Sequence, residues 1–271
     1  MSRKIYLACF LLLISLTTTI QVFSEVRTIH NLAEMPTSEF SRETLVMFDI
    51  DDVLIYPKDA LLQNWRSEWK PERVRVWTPE EDTIAWMNEN FQIMDPDGPK
   101  IIDRLNERGV PTIGFTTFAM DKSGMVKSIP EWRSKQLEEL GLHFKMKNEI
   151  VFPIQEGFVP PSFEKGVLYC GNFYKKDKDN QGKILSLYLD WLKWTPKLVV
   201  FVNDRKQNLE TVKNELDRRK IPFLGFLYIP KNFDPIDEKV AKLQYTTIID
   251  QKKWLSDKEA KQLLLRESTK S

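Results

Sequence analysis

Cysteine is almost missing from this 271-residue chain: Cys9 and Cys170 are the only two. Cys9 sits in an N-terminal apolar run, so the body of the chain keeps one thiol, which excludes an internal disulfide framework. Cys170 reads as a small buried hydrophobe rather than a nucleophile. Histidine is as scarce. His30 and His143 have no Cys or His partner at metal-ligand spacing, and both read as surface or packing residues. An excess of either charge is lacking too, since 40 Lys and Arg face 39 Asp and Glu. Without a basic surplus, nucleic acid is not an expected partner. The chain has no G-x-S-x-G elbow, no P-loop and no G-x-G-x-x-G turn. No repeat, no low-complexity tract and, past the N-terminus, no apolar run long enough to cross a membrane is present.

What the N-terminus does contain is a basic start, Arg3 and Lys4, followed by a nearly unbroken apolar stretch from Ile5 to Leu16 and the small or medium residues Val22-Phe23-Ser24. That order is expected of a secretory signal peptide over residues 1–24, cleaved before Glu25. The apolar run is short for a bilayer span, which makes an uncleaved anchor the lesser alternative. Export to a periplasm or beyond the cell follows as an expectation. Removing Arg3 and Lys4 leaves one basic residue fewer than the acidic ones. The rest divides into a polar lead-in, 25–43, expected to be irregular, and a domain over 44–271 carrying an insert at 56–98.

Within that domain, apolar runs at Thr44–Ile50, Thr112–Phe115, Lys197–Val202 and Phe223–Tyr228 read as strands, with shorter ones at Glu149–Phe152 and Gly166–Cys170. Helices are expected at Pro99–Arg108, closed by Gly109, and at Trp132–Leu140, Ile184–Leu192, Gln207–Arg218 and Asp257–Leu265. Strands alternating with helices predict a mostly parallel, three-layer α/β sheet. The insert reads as small and helical, with helices at Ala60–Trp69 and Glu80–Asn90. It holds Trp65, Trp69, Trp77 and Trp86, half of the tryptophans. Trp65, Trp69, Arg66, Arg73 and Arg75 are candidates to touch a substrate, although large aromatics more often pack such a subdomain onto its sheet.

The most informative stretch is Phe48-Asp49-Ile50-Asp51-Asp52-Val53-Leu54. It follows Thr44-Leu45-Val46-Met47, a charge-free run expected of a strand buried on both faces. Three carboxylates then fall within four positions at its carboxyl end, where open α/β sheets bind ligands. Carboxylates crowded together repel unless a cation or proton compensates, and Mg²⁺, a hard cation that takes oxygen ligands, is the economical choice. Two further strands end in polar residues, Thr116-Thr117 and Asn203-Asp204. In a parallel sheet these ends share one edge. An acid cluster, a hydroxyl and a second acid suit aspartyl-phosphate chemistry: one carboxylate attacks phosphorus, a second moves the proton, and the cation neutralises charge.

The run Asp49-Ile50-Asp51-Asp52-Val53-Leu54 resembles the first motif of the haloacid dehalogenase (HAD) superfamily, D-x-D-x-[TV]-[LV] after a hydrophobic strand. The resemblance covers about Thr44 to Tyr228 and implies a HAD-like, Rossmann-like fold. It implies that Asp49 is the nucleophile and a metal ligand, and that Asp51 is the acid/base, with its backbone carbonyl facing the metal. An acid at position 51 is similar to the phosphatases of the superfamily. Thr116 matches the second motif, a phosphate-binding hydroxyl, and Asp204 the metal-binding acid of the fourth. Two departures stand out. Asn203 falls where the superfamily commonly has an acid. The lysine of the third motif falls on Gln181, which leaves Lys183 as the preferred phosphate-binding cation, with Lys176 and Lys178 as alternatives. The pattern N-D-R-x-x-N-L within Val199–Leu209 is similar to a bacterial subgroup of uncharacterised HAD-like proteins, the DUF2608 type.

The expected function is therefore an exported, Mg²⁺-dependent phosphatase acting on a small phosphomonoester. Gln181 and Asn203 motivate the alternative, a HAD-fold metal- or phosphate-binding protein with little turnover. A D-x-D sugar-nucleotide transferase is a third reading. Asp177 to Gly182 begins like a calcium loop but lacks the bidentate glutamate, and reads as a solvated loop. The lysines of 252–261 read as a solvated helix face.

Overall fold

Strand β2 (Thr44–Phe48) is buried along its whole length, and the reason is visible in which side chains go where. Val46 and Phe48 join one apolar cluster, while Leu45 and Met47 join another on the opposite face. A strand covered on both sides must be apolar at every position. The computed structural model describes residues 24–63, 77–88, 90–117, 126–153, 159–171, 180–231 and 235–269. Around β2, an eight-stranded sheet is built from β1 (Ser24–Ile29), β5 (Thr112–Thr116), β6 (Ile150–Val151), β7 (Ser162–Glu164), β8 (Val167–Tyr169), β9 (Leu198–Asn203) and β10 (Phe223–Tyr228). Their order is β1-β10-β9-β2-β5-β8-β7-β6. Pairings from β1 through β8 are parallel, and β7 and β6 turn antiparallel at the edge. The fold is thus mixed α/β with a mostly parallel central sheet.

Helices cover both faces. On one side lie α2 (Gly98–Glu107) and α3 (Ile129–Glu139), through Ile101, Ile102, Leu105, Ile129 and Leu137. Pro99 starts α2 where a missing N–H costs nothing, and Gly109, at φ +70°, takes the left-handed turn that ends it. On the other side lie α4 (Asn180–Leu192) and α5 (Lys206–Arg219), through Leu185, Leu189, Leu209, Val212 and Leu216. These two approach so closely that a Cβ on Gly182 would lie 2.4 Å from the Thr211 carbonyl oxygen.

Several elements differ from the sequence expectation. The lead-in is not irregular throughout: Ser24–Ile29 forms edge strand β1, in register with Phe223–Tyr228, and Ser24 Oγ donates to Asp217. The described part of the insert is not purely helical. It holds an antiparallel ribbon of β3 (Ile55–Pro57) and β4 (Phe91–Ile93), a 3₁₀ turn at Ala60–Leu62, and helix α1 (Pro79–Asn88). Trp65, Arg66, Trp69, Arg73 and Arg75 lie outside the described residues. The tail carries α6 (Glu238–Gln251) before α7 (Asp257–Ser268). Lys252, expected on a solvated face, pairs with buried Glu81 at 2.6 Å and ties the end of α6 to α1.

Candidate functional site

The register fixes what meets at the carboxyl edge of the sheet. Phe48 pairs with Val202 on β9 and with Gly114 on β5. One step further, Asp49 lies beside Asn203, and Asp49 N donates to the Val202 carbonyl at 2.9 Å. On β5, Thr116 ends the strand two residues beyond Gly114. Neighbouring strands stand about 4.8 Å apart. The strand-end residues picked from sequence on β9, β2 and β5 therefore do occupy one edge.

After β2 the chain turns sharply. Leu54 N and Ile55 N both reach back to the Ile50 carbonyl at 3.0 Å, and Asp52 takes φ +65°. A left-handed residue is uncommon outside glycine, although Asp is among those that tolerate it. Asp51 makes an isolated bridge with Ile55, so the turn delivers the chain from Asp51 directly into β3 of the insert.

Asp49 is 8% exposed. One carboxylate oxygen accepts from Ile50 N at 2.8 Å, and the other accepts from Asn203 Nδ2 at 2.5 Å. Burial first, then the negative charges of Asp204 and Asp51, push its pKa well above the ordinary carboxylate value. The Ile50 N–H and Arg205 pull the other way without prevailing. Asp204 is also raised, by burial above all, against the opposing charge of Arg205 at 3.6 Å. Asp49, Asp51 and Asp204 thus share one electrostatic environment. Among the described residues no three Asp, Glu, His or Cys side chains close around a common point as metal ligands by themselves.

Asn203 has a role that its identity alone did not reveal. Its Oδ1 accepts from Arg205 N at 2.8 Å and from Asn208 Nδ2 at 3.1 Å. A backbone N–H can only donate, which fixes the amide orientation and turns Nδ2 toward Asp49. The oxygen that would ligate a cation is committed, and the side chain acts as a donor to the central carboxylate.

Arg133 of α3 carries no motif and was not anticipated. It is 1% exposed, and its Nη2 lies 3.0 Å from one oxygen of Asp51 and 3.4 Å from the other. Its guanidinium sits 5.1 Å from the Phe91 ring of β4 and 5.0 Å from that of Trp132. Planar, weakly hydrated guanidinium suits such a stacked, buried position better than an ammonium. Tyr169 ends β8 nearby, paired with Thr116, with its hydroxyl buried and without a hydrogen-bond partner. Burial raises its pKa, and the Arg133 charge opposes this.

Thr116 is buried at the strand end. Lys183 stands half-buried in the first turn of α4. Arg205 is a cation whose field acts on Asp49, favouring its charged form. Lys176 and Lys178 lie outside the described residues. Gln181 is 2% exposed, and neither amide atom has a hydrogen-bond partner among the described residues. Cys170 is buried, as expected of a small hydrophobe, and its thiol pKa is pushed up by burial and then by Asp49.

These features define a mixed α/β protein whose mostly parallel sheet gathers acids at one carboxyl edge. Residues 20–261 match the family described as protein of unknown function, DUF2608, and the chain belongs to that family. It is 23% identical to an uncharacterized protein of Rickettsia prowazekii, over 82% of this chain and 83% of that one. It is 28% identical to a Chlamydia muridarum protein named "Putative outer membrane protein", over 96% and 97% of the two chains. A Chlamydia trachomatis protein of the same name is 25% identical over 88% and 90%. No solved structure matches the chain.

Proposed function

We propose that the protein is a HAD-like phosphatase that hydrolyses a small phosphomonoester through an aspartyl-phosphate on Asp49. The observation that carries the reading is the buried carboxylate of Asp49, destabilised by burial, Asp204 and Asp51 at the carboxyl edge of the sheet. An acid with that much uncompensated charge stands where a cation is needed, and a nucleophile is needed at that same strand end.

The donor set fits Mg²⁺, which takes one or two carboxylates and completes its shell with water and substrate phosphate. Asp49 and Asp204 would hold it through carboxylate oxygens, and Asp51 through its backbone carbonyl. Bound there, it supplies neutralisation of the charge between carboxylate and phosphate. Asp49 attacks phosphorus. Asn203 and the Ile50 N–H orient its carboxylate through their two hydrogen bonds. Asp51 gives a proton to the leaving oxygen and then takes one from water, and Arg133 holds its side chain in place. Thr116 donates to a phosphate oxygen. Lys183 remains the third-motif candidate through the reach of its stem.

The test is turnover of an aryl phosphate with Mg²⁺. Saturable hydrolysis, lost in Asp49→Asn with the fold intact, is expected. Wild-type activity in Asp49→Asn refutes the assignment. Mg²⁺ binding without turnover on a broad ester panel favours the catalytically weak binding protein, which the donor role of Asn203 and the absence of a lysine at Gln181 support. Location enters on the same footing. The signal-peptide pattern of residues 1–24 and the names of the chlamydial relatives support export to the cell envelope. N-terminal sequencing of the mature chain checks the cleavage before Glu25.

A further inference from the structure

Among the described residues, two apolar clusters are built from the insert and the tail alone. Ala60 packs with Val240, Ala241 and Ala260, while Leu61 and Ala85 pack with Tyr245 and Ile248. Polar contacts tie the same parts. Ala60 N donates to Asp257, Leu61 N to Gln244 and Asp257 N to Asp59, pairs that stand 183 to 198 residues apart. The insert and the helices α6 and α7 thus pack as one body. That body meets the sheet through the β3-β4 ribbon: Ile55 joins the cluster of Val46 and Phe48, and Phe91 and Ile93 pack against it.

The ribbon reaches both partners of one ion pair. Asp51 bridges to Ile55 at the start of β3. On the paired strand, the half-buried Phe91 ring lies 5.1 Å from the Arg133 guanidinium and 6.4 Å, edge-on, from the Trp132 ring. Nη2 of Arg133 serves both oxygens of Asp51, at 3.0 and 3.4 Å. A two-nitrogen fork fixes its own plane against a carboxylate, whereas a shared nitrogen leaves that plane to whatever stacks on it. Trp132 is the neighbour of Arg133 on α3 and rides with it. Phe91 belongs to the other body.

We propose that Phe91 is a positioning residue for Asp51: stacked on Arg133, it sets the guanidinium that holds the acid, so Asp51 is placed for proton transfer only with the insert seated on the sheet. The role rests on the phosphatase reading and extends it from the strand ends to the insert. A misplacement of about 1 Å at a reacting group costs up to roughly a hundredfold in rate, so a ring one contact removed from the acid matters to it.

Steady-state turnover of an aryl phosphate with Mg²⁺ by the full chain tests this. Phe91→Leu keeps an apolar side chain and removes the ring. It should lower kcat about tenfold and leave KM within about twofold, and Phe91→Tyr should restore most of the rate. In an Arg133→Gln background, with no guanidinium left to orient, Phe91→Leu should change kcat by less than about twofold. Equal fold losses in the two backgrounds, a change in KM without one in kcat, or a Tyr variant as slow as the Leu variant overturns the role. Wild-type kcat in Phe91→Leu overturns it while the phosphatase reading stands. A wild type without turnover refutes that reading and this role with it. Urea unfolding of the same proteins establishes that each variant folds and needs no turnover. There the effect of Phe91→Leu on the unfolding equilibrium constant should be about threefold smaller when residue 133 is glutamine, and an undiminished effect likewise refutes the role.

Discussion

Changing Asp49 to asparagine removes one negative charge from a site that is 8% exposed and already holds the fields of Asp204 and Asp51. The carboxylate's folded pKa lies above its unfolded value of about 3.9. Between those two values the folded state binds more protons than the unfolded one, so stability falls as pH rises. One proton's worth of linkage is about 1.4 kcal/mol per pH unit across that window. The penalty is absent at low pH, grows above about pH 4, and reaches its full size once pH passes the folded value. Other acids titrate there too. Asp59 and Asp204 are also raised, while Asp190 and Asp217 are lowered by their Arg219 and Lys213 partners. The difference between wild type and Asp49→Asn isolates the one group. Asparagine keeps the volume and the acceptor for Ile50 N but meets Asn203 Nδ2 donor to donor, a fixed loss of about 1 kcal/mol that does not vary with pH. Urea unfolding in chelator, repeated at several pH values, should therefore show wild type losing stability with pH relative to the variant. Added Mg²⁺ should return the loss to wild type and do nothing for Asp49→Asn. Parallel pH curves for the two proteins, or equal responses to Mg²⁺, would refute the reasoning.

Arg133→Gln strands the Asp51 carboxylate and removes two ring contacts. A loss of about 3 kcal/mol is expected by urea denaturation, nearer the lower end for buried pairs because Asp51 keeps 31% side-chain exposure. Arg133→Lys should recover only part of it. Gly182→Ala forces a Cβ to 2.4 Å from the Thr211 oxygen, and overpacking should outweigh the gain in helix propensity by about 1–2 kcal/mol, read as a lowered Tm. Asn203→Asp replaces the donor facing Asp49 with another carboxylate. In chelator this should cost about 2 kcal/mol, and Mg²⁺ should return most of it, so equal losses in both buffers argue against a cation site.

Strands β2, β5, β9 and β10 were legible because burial on both faces leaves a short run rich in apolar, β-branched and aromatic residues, bounded by polar ones. Strand β1 was not. Val26 and Ile29 stand three apart among Glu25, Arg27 and Thr28, which is not strand alternation, and the segment becomes a strand when β10 supplies the hydrogen bonds from the far end of the chain. Helix α6 was hidden for a related reason. Its Thr-Thr-Ile-Ile run has strand-like propensity, and burial of Val240, Ala241, Tyr245 and Ile248 overrides it. Gln244 adds a buried amide that joins Leu61 N, the Leu255 carbonyl and Asp257. The strand-end acids were readable because a carboxylate after a charge-free run is anomalous on its own. Arg133 was not, because an arginine among Glu, Ser and Lys on a helix looks like any solvated face. Its guanidinium lies against the Trp132 ring beside it and the Phe91 ring, and Phe91 comes from another element.

The charge balance at the sheet edge singles out one of the three acids. Asp51 has Arg133 at 3.0 Å, held rigidly by two rings, and Asp204 has Arg205 at 3.6 Å. Asp49 is the most deeply placed of the three, and among the described residues it accepts from an amide and a backbone N–H and lies in the field of Arg205. Hydrogen bonds of that kind orient a carboxylate but do not cancel its charge in a low-dielectric setting. A chain folding for stability alone would have favoured an uncharged residue there. Among the described residues Arg133 and Arg205 stand beside its two neighbours, so under the proposed phosphatase reading a cation from outside would lower the free energy most at Asp49. On that proposed reading Asp49 is the group that binds or attacks, and the neutral, same-sized asparagine is the substitution that distinguishes that role from mere packing.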